Sequence, residues 1–282
     1  MWPSAIVHRP AAHRAIDGGG FSGQRSEPMP DWSTVNLWDL LPFIAVGFVA
    51  QLIDAALGMA FGVIATTLLL TLGVPPAVAS GQVHIIKIFT GAMSGASHAF
   101  HRNVDWKLFM RLTLSGVAGG VLGAYALIQI DAAIAKPFVL AYLTLVGLFL
   151  LWSAWDHVHV DRHARVIEPL GVVGGFLDAG GGGGWGPVVT SNLLIQGHNP
   201  RMTVGTVNTA EFMVAIAISA TFLLTLGWED FSGAVIGLLI GGVLAAPLGA
   251  LAAKKVSSKL LLAMVGIVLT ITSLYGIYRA LI

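Results

Sequence analysis

Two ionisable side chains lie at comparable places within long apolar segments of the sequence. Lys87 belongs to the segment "SGQVHIIKIF", and Glu211 belongs to the segment "VGTVNTAEFM". Because a charge is costly inside a span that crosses a bilayer, such residues usually line a functional pathway. We expect Lys87 to hold an anion, and Glu211 to take protons or to balance the charge of Lys87. The alternative interpretations are a buried structural ion pair and side chains that reach the membrane interface.

Further polar side chains accompany these charges. His84 lies three residues before Lys87 and shares its helix face, where it is either a proton carrier or a hydrogen-bonded packing histidine. Asp54 and Asp178 each come just before an interruption of an apolar region, where they cap a helix end, take part in proton coupling or act as counter-charges, and the structural role is preferred. The polar residues expected to contact a ligand in the two segments are Gln82, His84, Lys87, Thr206 and Asn208.

Glycines interrupt two apolar regions. The region 40–72 is broken at Gly58–Gly62, and the region 169–195 is broken by Gly180–Gly184 and then by Pro187. Each region predicts either a re-entrant pair of half-helices or two tilted spans. A helix that restarts after a break presents free N–H groups and a partial positive charge, which suits an anion. Close helix packing through small residues is the alternative. The residues expected to bind an anion at the breaks are Gly58, Gly62, Gly182, Gly183, Gly184, Trp185, Gly186 and Asn192.

The composition predicts the elements that position these residues. The 282-residue chain is 56% hydrophobic and 10% charged, with a mean hydropathy of +0.82. Soluble domains carry about 25% charged residues, so we expect an all-α, polytopic transmembrane protein with the lipid bilayer as its partner. Continuous spans are predicted at 78–100, 108–128, 137–155, 202–226, 231–253 and 260–277.

The sequence also excludes several classes of function. The chain has no cysteine, which rules out disulfides, thiolate nucleophiles and cysteine metal sites. It has no long basic run, so nucleic acid is not expected as a partner. The glycine run continues as Trp-Gly-Pro rather than Gly-Lys-Ser/Thr, so it is not a phosphate-binding loop. With neither HExxH nor GxSxG, we expect no catalytic residues, no enzyme activity, no metal and no cofactor; the oligomeric state is left open.

The two interrupted regions repeat each other. Asp54-Ala55 aligns with Asp178-Ala179 at an offset of 124 residues, and the same offset pairs Lys87 with Glu211. The basic loop 98–111 predicts a cytoplasmic side, whereas its counterpart around 227–230 is acidic and predicts the opposite side. We therefore expect two inverted-topology repeats with broken helices at the centre. The predicted organisation is a disordered N-terminal tail (1–36, with Met29 as an alternative start), a first transmembrane repeat (37–155), a cytoplasmic linker (156–168) and a second transmembrane repeat (169–282).

The combination of break, turn and polar span resembles the sulfite exporter TauE/SafE family. The residues that carry the resemblance are "GFVAQLIDAALGMAFG…LGVPPAVASGQVH" and "GGFLDAGGGGGWGPVVTSNLLIQGHNPRMTVGTVNTAEF". The first half departs from the glycine-rich pattern at Leu57, Met59 and Ala60. The resemblance implies a multi-pass permease of the cell inner (plasma) membrane for a small sulfur-containing anion such as sulfite or an organosulfonate, acting in export. The alternatives are a transporter of another small anion and a membrane assembly or accessory protein without transport activity.

Overall fold

The structure is a computed structural model that describes residues 37–57, 59–155, 166–196, 198–227, 233–248 and 258–281. These residues form helices and no β-strand. The helices of the first half are α1 (Leu37–Leu57), α2 (Phe61–Thr71), α3 (Pro76–Phe100), α4 (Trp106–Gln129) and α5 (Ala132–Trp155). Those of the second half are α6 (Ile167–Gly181), a π-helical turn (Gly186–Thr190) that continues into α7 (Ser191–Ile195), α8 (Pro200–Leu226), α9 (Gly233–Ala245), a 3-10 turn (Ala246–Leu248) and α10 (Ser258–Leu281).

Local sequence signals explain where several helices begin. Proline occupies the first turn of both α3 and α8, where its missing N–H sacrifices no helical hydrogen bond. Asp105 caps α4 by accepting from the N–H groups of Lys107 and Leu108. Asn199 caps α8 in the same way.

The outer surface of the helices is apolar. Leu224 is 88% exposed and Phe138 is 72% exposed, and many other large hydrophobic side chains face outward. Among the described residues, three helical segments are long and apolar enough to cross a bilayer, namely Trp106–Gln129, Ala132–Trp155 and Arg201–Leu226. Such an exterior is stable only when lipid solvates it, which confirms the all-α transmembrane class.

Of the remaining predicted spans, two lie within single helices and the third is described only in part. The predicted span 78–100 lies in the single helix α3, and 260–277 lies in α10. The predicted span 231–253 corresponds to the shorter α9 and its 3-10 turn, which the structure describes only as far as Leu248. The predicted tail 1–36 and residues 156–165 of the predicted linker lie outside the described residues, and α6 begins within that linker at Ile167.

Each break between helices is shorter than the glycine-containing segment that predicted it. Helix α2 already begins at Phe61, so Gly62 lies in its first turn rather than in the break. Helix α6 continues through Gly181, and Gly182 ends it in a left-handed conformation with φ of 68°. Pro187 lies in the first turn of the helix that follows, as its fixed φ predicts.

The two halves interlock. Helix α1 packs on α9 and α6 packs on α4, while α3 packs on α8 and α5 packs on α10. Small residues allow the close approach: a Cβ on Gly241 would lie 2.7 Å from the backbone nitrogen of Phe48, and one on Gly123 would lie 2.9 Å from the Cα of Phe176. Each broken helix is therefore held by a helix of the other half.

The helix boundaries follow the spacing of the sequence repeat. Helices α1 and α6 end at Leu57 and Gly181, and helices α3 and α8 begin at Pro76 and Pro200, each pair being 124 residues apart. The order of elements is therefore the same in both halves. The opposite membrane orientation of the two repeats stays a prediction.

Candidate functional site

Asp178 is the centre of a polar cluster that joins three helices. Its side chain is fully buried near the end of α6. The ammonium of Lys87 on α3 donates to both carboxylate oxygens, at 3.0 and 3.2 Å. The N–H of Trp185, just beyond the break, donates to Oδ1 at 3.1 Å. Nε2 of His84 lies 3.1 Å from Oδ2, so no oxygen of this buried carboxylate lacks a partner.

Lys87 also contacts a second carboxylate. Its Nζ lies 2.6 Å from Oε1 of Glu211 on α8, and the Lys87 side chain is only 6% exposed. Lys87 and Glu211 hold equivalent positions in the two halves of the sequence, and the structure places them in direct contact. Lys87 bridges the two carboxylates, and we call Lys87, His84, Asp178 and Glu211 the central cluster.

His84 connects this cluster to the backbone. Its Nδ1 lies 2.7 Å from the Ser80 carbonyl oxygen, which can only accept, so Nδ1 carries a proton. The Ser80 hydroxyl donates to the Ala179 carbonyl at 2.6 Å and holds this end of α3 against α6. His84 and Ser80 thus tie Asp178 and the end of α6 to α3.

The two aspartates hold equivalent places at the two breaks. Asp54 Oδ1 accepts from the N–H groups of Ala60 at 2.7 Å and Phe61 at 3.1 Å, and so caps α2. Asp178 accepts from Trp185, which corresponds to Phe61 at the 124-residue offset. The helix N-termini that we expected to face an anion are, in this conformation, capped by the protein's own carboxylates.

The glycines bring the two breaks together. A Cβ on Gly62 would lie 2.9 Å from the Cα of Gly183, and one on Gly183 would lie 2.8 Å from the carbonyl carbon of Gly62. Gly182 faces Thr66, and a Cβ on Gly184 would lie 2.8 Å from the Cβ of Leu177. These contacts support close backbone packing, and none of the four glycines lines the cavity described below.

The other predicted residues lie around the cluster or apart from it. Trp185 is fully buried, and its indole N–H donates to the Val207 carbonyl at 3.1 Å. Thr206 accepts from the Asp105 N–H at 2.9 Å and fixes the start of α4. Asn192 is exposed and contacts Gln196 rather than the cluster. Gln82 and Gly186 are buried but do not line the cavity, and Gly58 lies outside the described residues.

A small cavity adjoins Lys87 and Glu211. Its volume of about 10 Å³ accommodates about one water molecule. Sequence reasoning missed three of its polar lining residues, Gln51, Thr90 and Ser94, although their helical spacing from Asp54 and Lys87 was a usable signal. The described residues that line it are Gln51, Asp54, Phe61, Lys87, Thr90, Gly91, Ser94, Asn208 and Glu211.

Comparison with known proteins identifies the family. The model of the sulfite exporter TauE/SafE family matches residues 43–276, which include both breaks and the whole central cluster. The chain belongs to this family. A TauE/SafE assignment agrees with the apolar exterior and with a charged cluster buried between broken helices.

Relatives support the same class. The chain is 44% identical to the probable membrane transporter protein YtnM of Bacillus subtilis, over 80% of this chain and 79% of that protein. It is 28% identical to a probable membrane transporter protein of Haemophilus influenzae, over 72% of this chain and 84% of that protein. No solved structure matches the chain. The protein is thus a multi-pass transporter of the cell inner membrane that acts on a small molecule, and these names are those of transporters rather than of enzymes.

Proposed function

We propose that the protein is a secondary transporter that exports a small sulfur-containing anion, such as sulfite or an organosulfonate, and that Lys87 binds the anion. The observation that carries this proposal is a buried ammonium group between α3, α6 and α8, next to both helix breaks. Secondary transporters with repeated halves place their substrates at such a point. The description of the TauE/SafE family supports sulfite as the type of substrate.

The ion pairs of Lys87 define what anion binding requires. Asp178 and Glu211 both hold the ammonium in this conformation, so an anion must replace at least one of them. Glu211 is the easier to replace, because Asp178 is fixed in addition by Trp185 and contacts His84. Neutralising Glu211, by a proton or by another cation, weakens its attraction for Lys87 and makes the ammonium available to the anion.

The cavity indicates that this conformation is closed. A space for about one water molecule is too small for an oxyanion of several heavy atoms. Binding therefore requires α3 and α8 to separate at the cluster, which agrees with alternating access between two states.

Flux measurements test the proposal. We expect the purified full-length protein in liposomes to move radiolabelled sulfite or an organosulfonate in preference to sulfate. Everted membrane vesicles should accumulate the same anion if export is the direction. Lys87→Gln should abolish the flux, whereas Lys107→Gln, which changes an exposed lysine at the start of α4, should retain it.

Three results would count against the proposal. Absence of flux for all tested anions would favour an accessory role. Preference for an anion without sulfur would overturn the substrate assignment, and flux that survives Lys87→Gln would remove Lys87 from the binding site.

A further inference from the structure

The cavity beside the central cluster is lined largely by oxygen-bearing side chains from three helices. Helix α1 contributes Gln51 and Asp54, α3 contributes Thr90 and Ser94, and α8 contributes Asn208 and Glu211. Lys87 is the only cation among the described residues of the lining. Carboxylate, amide and hydroxyl oxygens are the ligands that hard cations prefer.

Two of these oxygens have no hydrogen-bond partner within the described part of the chain. They are Oε1 of Gln51 and Oδ1 of Asn208. Both residues are deeply buried, at 1% and 2% exposure. The amide nitrogen of Asn208 donates to the Ser94 hydroxyl at 3.3 Å, so Oδ1 is the atom left over. Because a buried unpaired carbonyl is costly, these two oxygens indicate a missing positive or donating ligand.

The charges around the cavity also favour a cation. Asp54, Glu211 and the adjacent Asp178 are three carboxylates, and Lys87 already contacts two of them. Nε2 of His84 faces Asp178 and does not line the cavity. Asp54 therefore has no cationic side chain in contact among the described residues, and its hydrogen-bond partners there are two backbone N–H groups.

We propose that the cavity binds a single sodium ion, with ligands from Gln51, Asp54, Ser94, Asn208 and Glu211. A space the size of one water suits a dehydrated monovalent ion, whereas magnesium usually keeps several of its waters. The described residues contain no group of three or more His, Cys, Asp or Glu side chains placed for a metal, which disfavours transition metals. A proton on Glu211 or Asp54 would leave at least one amide oxygen unpaired. A water could donate to both but would leave three carboxylates around one ammonium, whereas a cation satisfies both oxygens and offsets that charge.

Sodium at this position would link cation binding to anion binding. Glu211 would be shared between Lys87 and the ion, so binding of sodium would weaken the ion pair with Lys87. The ammonium would then become available to the anion. This coupling rests on the function proposed above, but the binding of sodium itself does not.

The test is sodium binding to the purified full-length protein without any anion substrate. Sodium that binds only the native state raises the melting temperature by mass action. We expect the melting temperature to rise when sodium chloride replaces choline chloride at constant ionic strength, but not when potassium chloride does. Radioactive sodium should bind the wild-type protein and should be displaced by unlabelled sodium but not by potassium.

Two variants and a matched control locate the site. Gln51→Leu and Asn208→Ala should each weaken the apparent sodium affinity by at least about tenfold, because loss of even an outer-shell partner of a metal ligand has an effect of that size. Ser219→Ala removes another buried, unpartnered oxygen from α8 that does not line the cavity, and it should leave the affinity unchanged.

Equal stabilisation by sodium, potassium and choline, or no displaceable binding of radioactive sodium, would overturn the proposal even if a variant fails to fold. Sodium binding that is unaffected by both cavity substitutions would also overturn it. Because no anion is present, these outcomes are independent of whether sulfite is transported.

Discussion

At the level of single residues, Asp178 and Asp54 have one role in common, but Asp178 makes more contacts. Both carboxylates cap the helix that follows a break. Asp178 additionally forms an ion pair with Lys87 and contacts His84, and its side chain is fully buried. Removal of Asp178 therefore takes a buried partner from both Lys87 and His84, whereas removal of Asp54 takes the cap from the start of α2.

This difference predicts unequal losses of stability. Asp54→Ala should lower the free energy of unfolding by about 0.5–2 kcal/mol, the usual effect of losing an N-cap. Asp178→Ala should lower it by about 3–5 kcal/mol, because Lys87 loses a buried partner. Denaturant titration of the detergent-purified protein measures both values. Equal losses would show that the contacts of Asp178 with Lys87 and His84 add nothing to its cap.

Residues of the site could be predicted in part. The repeat offset indicated the Lys87–Glu211 pair, and the position of each aspartate before a break indicated a cap. The contact of Lys87 with Asp178 joins two residues from different halves that the offset does not pair, so only the tertiary packing of α3 on α6 reveals it. Gln51 and Ser94 are uncharged and became candidates only when packing placed them around one cavity.

At the level of the helices, the existence of the two breaks was predictable, but the residues at which the helices end were not. Gly180 and Gly181 stay helical although glycine disfavours a helix. In a bilayer, backbone N–H and C=O groups find no water, so the helix continues until another group satisfies them. At the end of α6 the Gly182 N–H donates to the Asp178 carbonyl and the Ser80 hydroxyl donates to the Ala179 carbonyl, while the Asp178 carboxylate accepts from the Trp185 N–H that begins the next helix.

We therefore expect the glycines of the run to differ in how well they tolerate substitution by alanine. Gly182→Ala forces a side chain into a left-handed conformation with φ of 68° and against Thr66, and it should cost at least about 1–2 kcal/mol. Gly180→Ala is the matched control, because it lies in α6 with nothing within 4 Å of the added Cβ. It should be neutral or stabilising by up to about 1 kcal/mol.

Melting temperatures and transport rates of the two variants test this contrast. Equal tolerance at both positions would mean that Gly182 does not need its left-handed backbone. Loss of transport in Gly182→Leu with an unchanged melting temperature would instead point to a direct contact with the anion, as the glycine pattern first suggested.

The whole molecule is predicted to carry its two halves in opposite orientations. The natural chain has no cysteine, so single cysteines can be labelled without background. Cysteines in place of the exposed Arg102 and Lys259 should be protected from an impermeant thiol reagent in intact cells. Cysteines in place of the exposed Asp131 and of Asp230, which lies outside the described residues, should be labelled. Labelling of Arg102 and Asp230 alike would place equivalent loops on one side and contradict the inverted repeat.

The most direct test of the central claim is anion flux in liposomes that contain the double variant Lys87→Gln, Glu211→Gln. Each single substitution leaves a buried charge without one of its partners. The double variant removes both members of the pair that lies 2.6 Å apart, and Asp178 keeps the Trp185 N–H and His84 as partners. Circular dichroism and the melting temperature establish that the variant is folded. The binding role of Lys87 predicts a folded protein that does not transport sulfite or an organosulfonate. Transport at the wild-type rate by the double variant would contradict that role and would leave Lys87 and Glu211 as a structural ion pair.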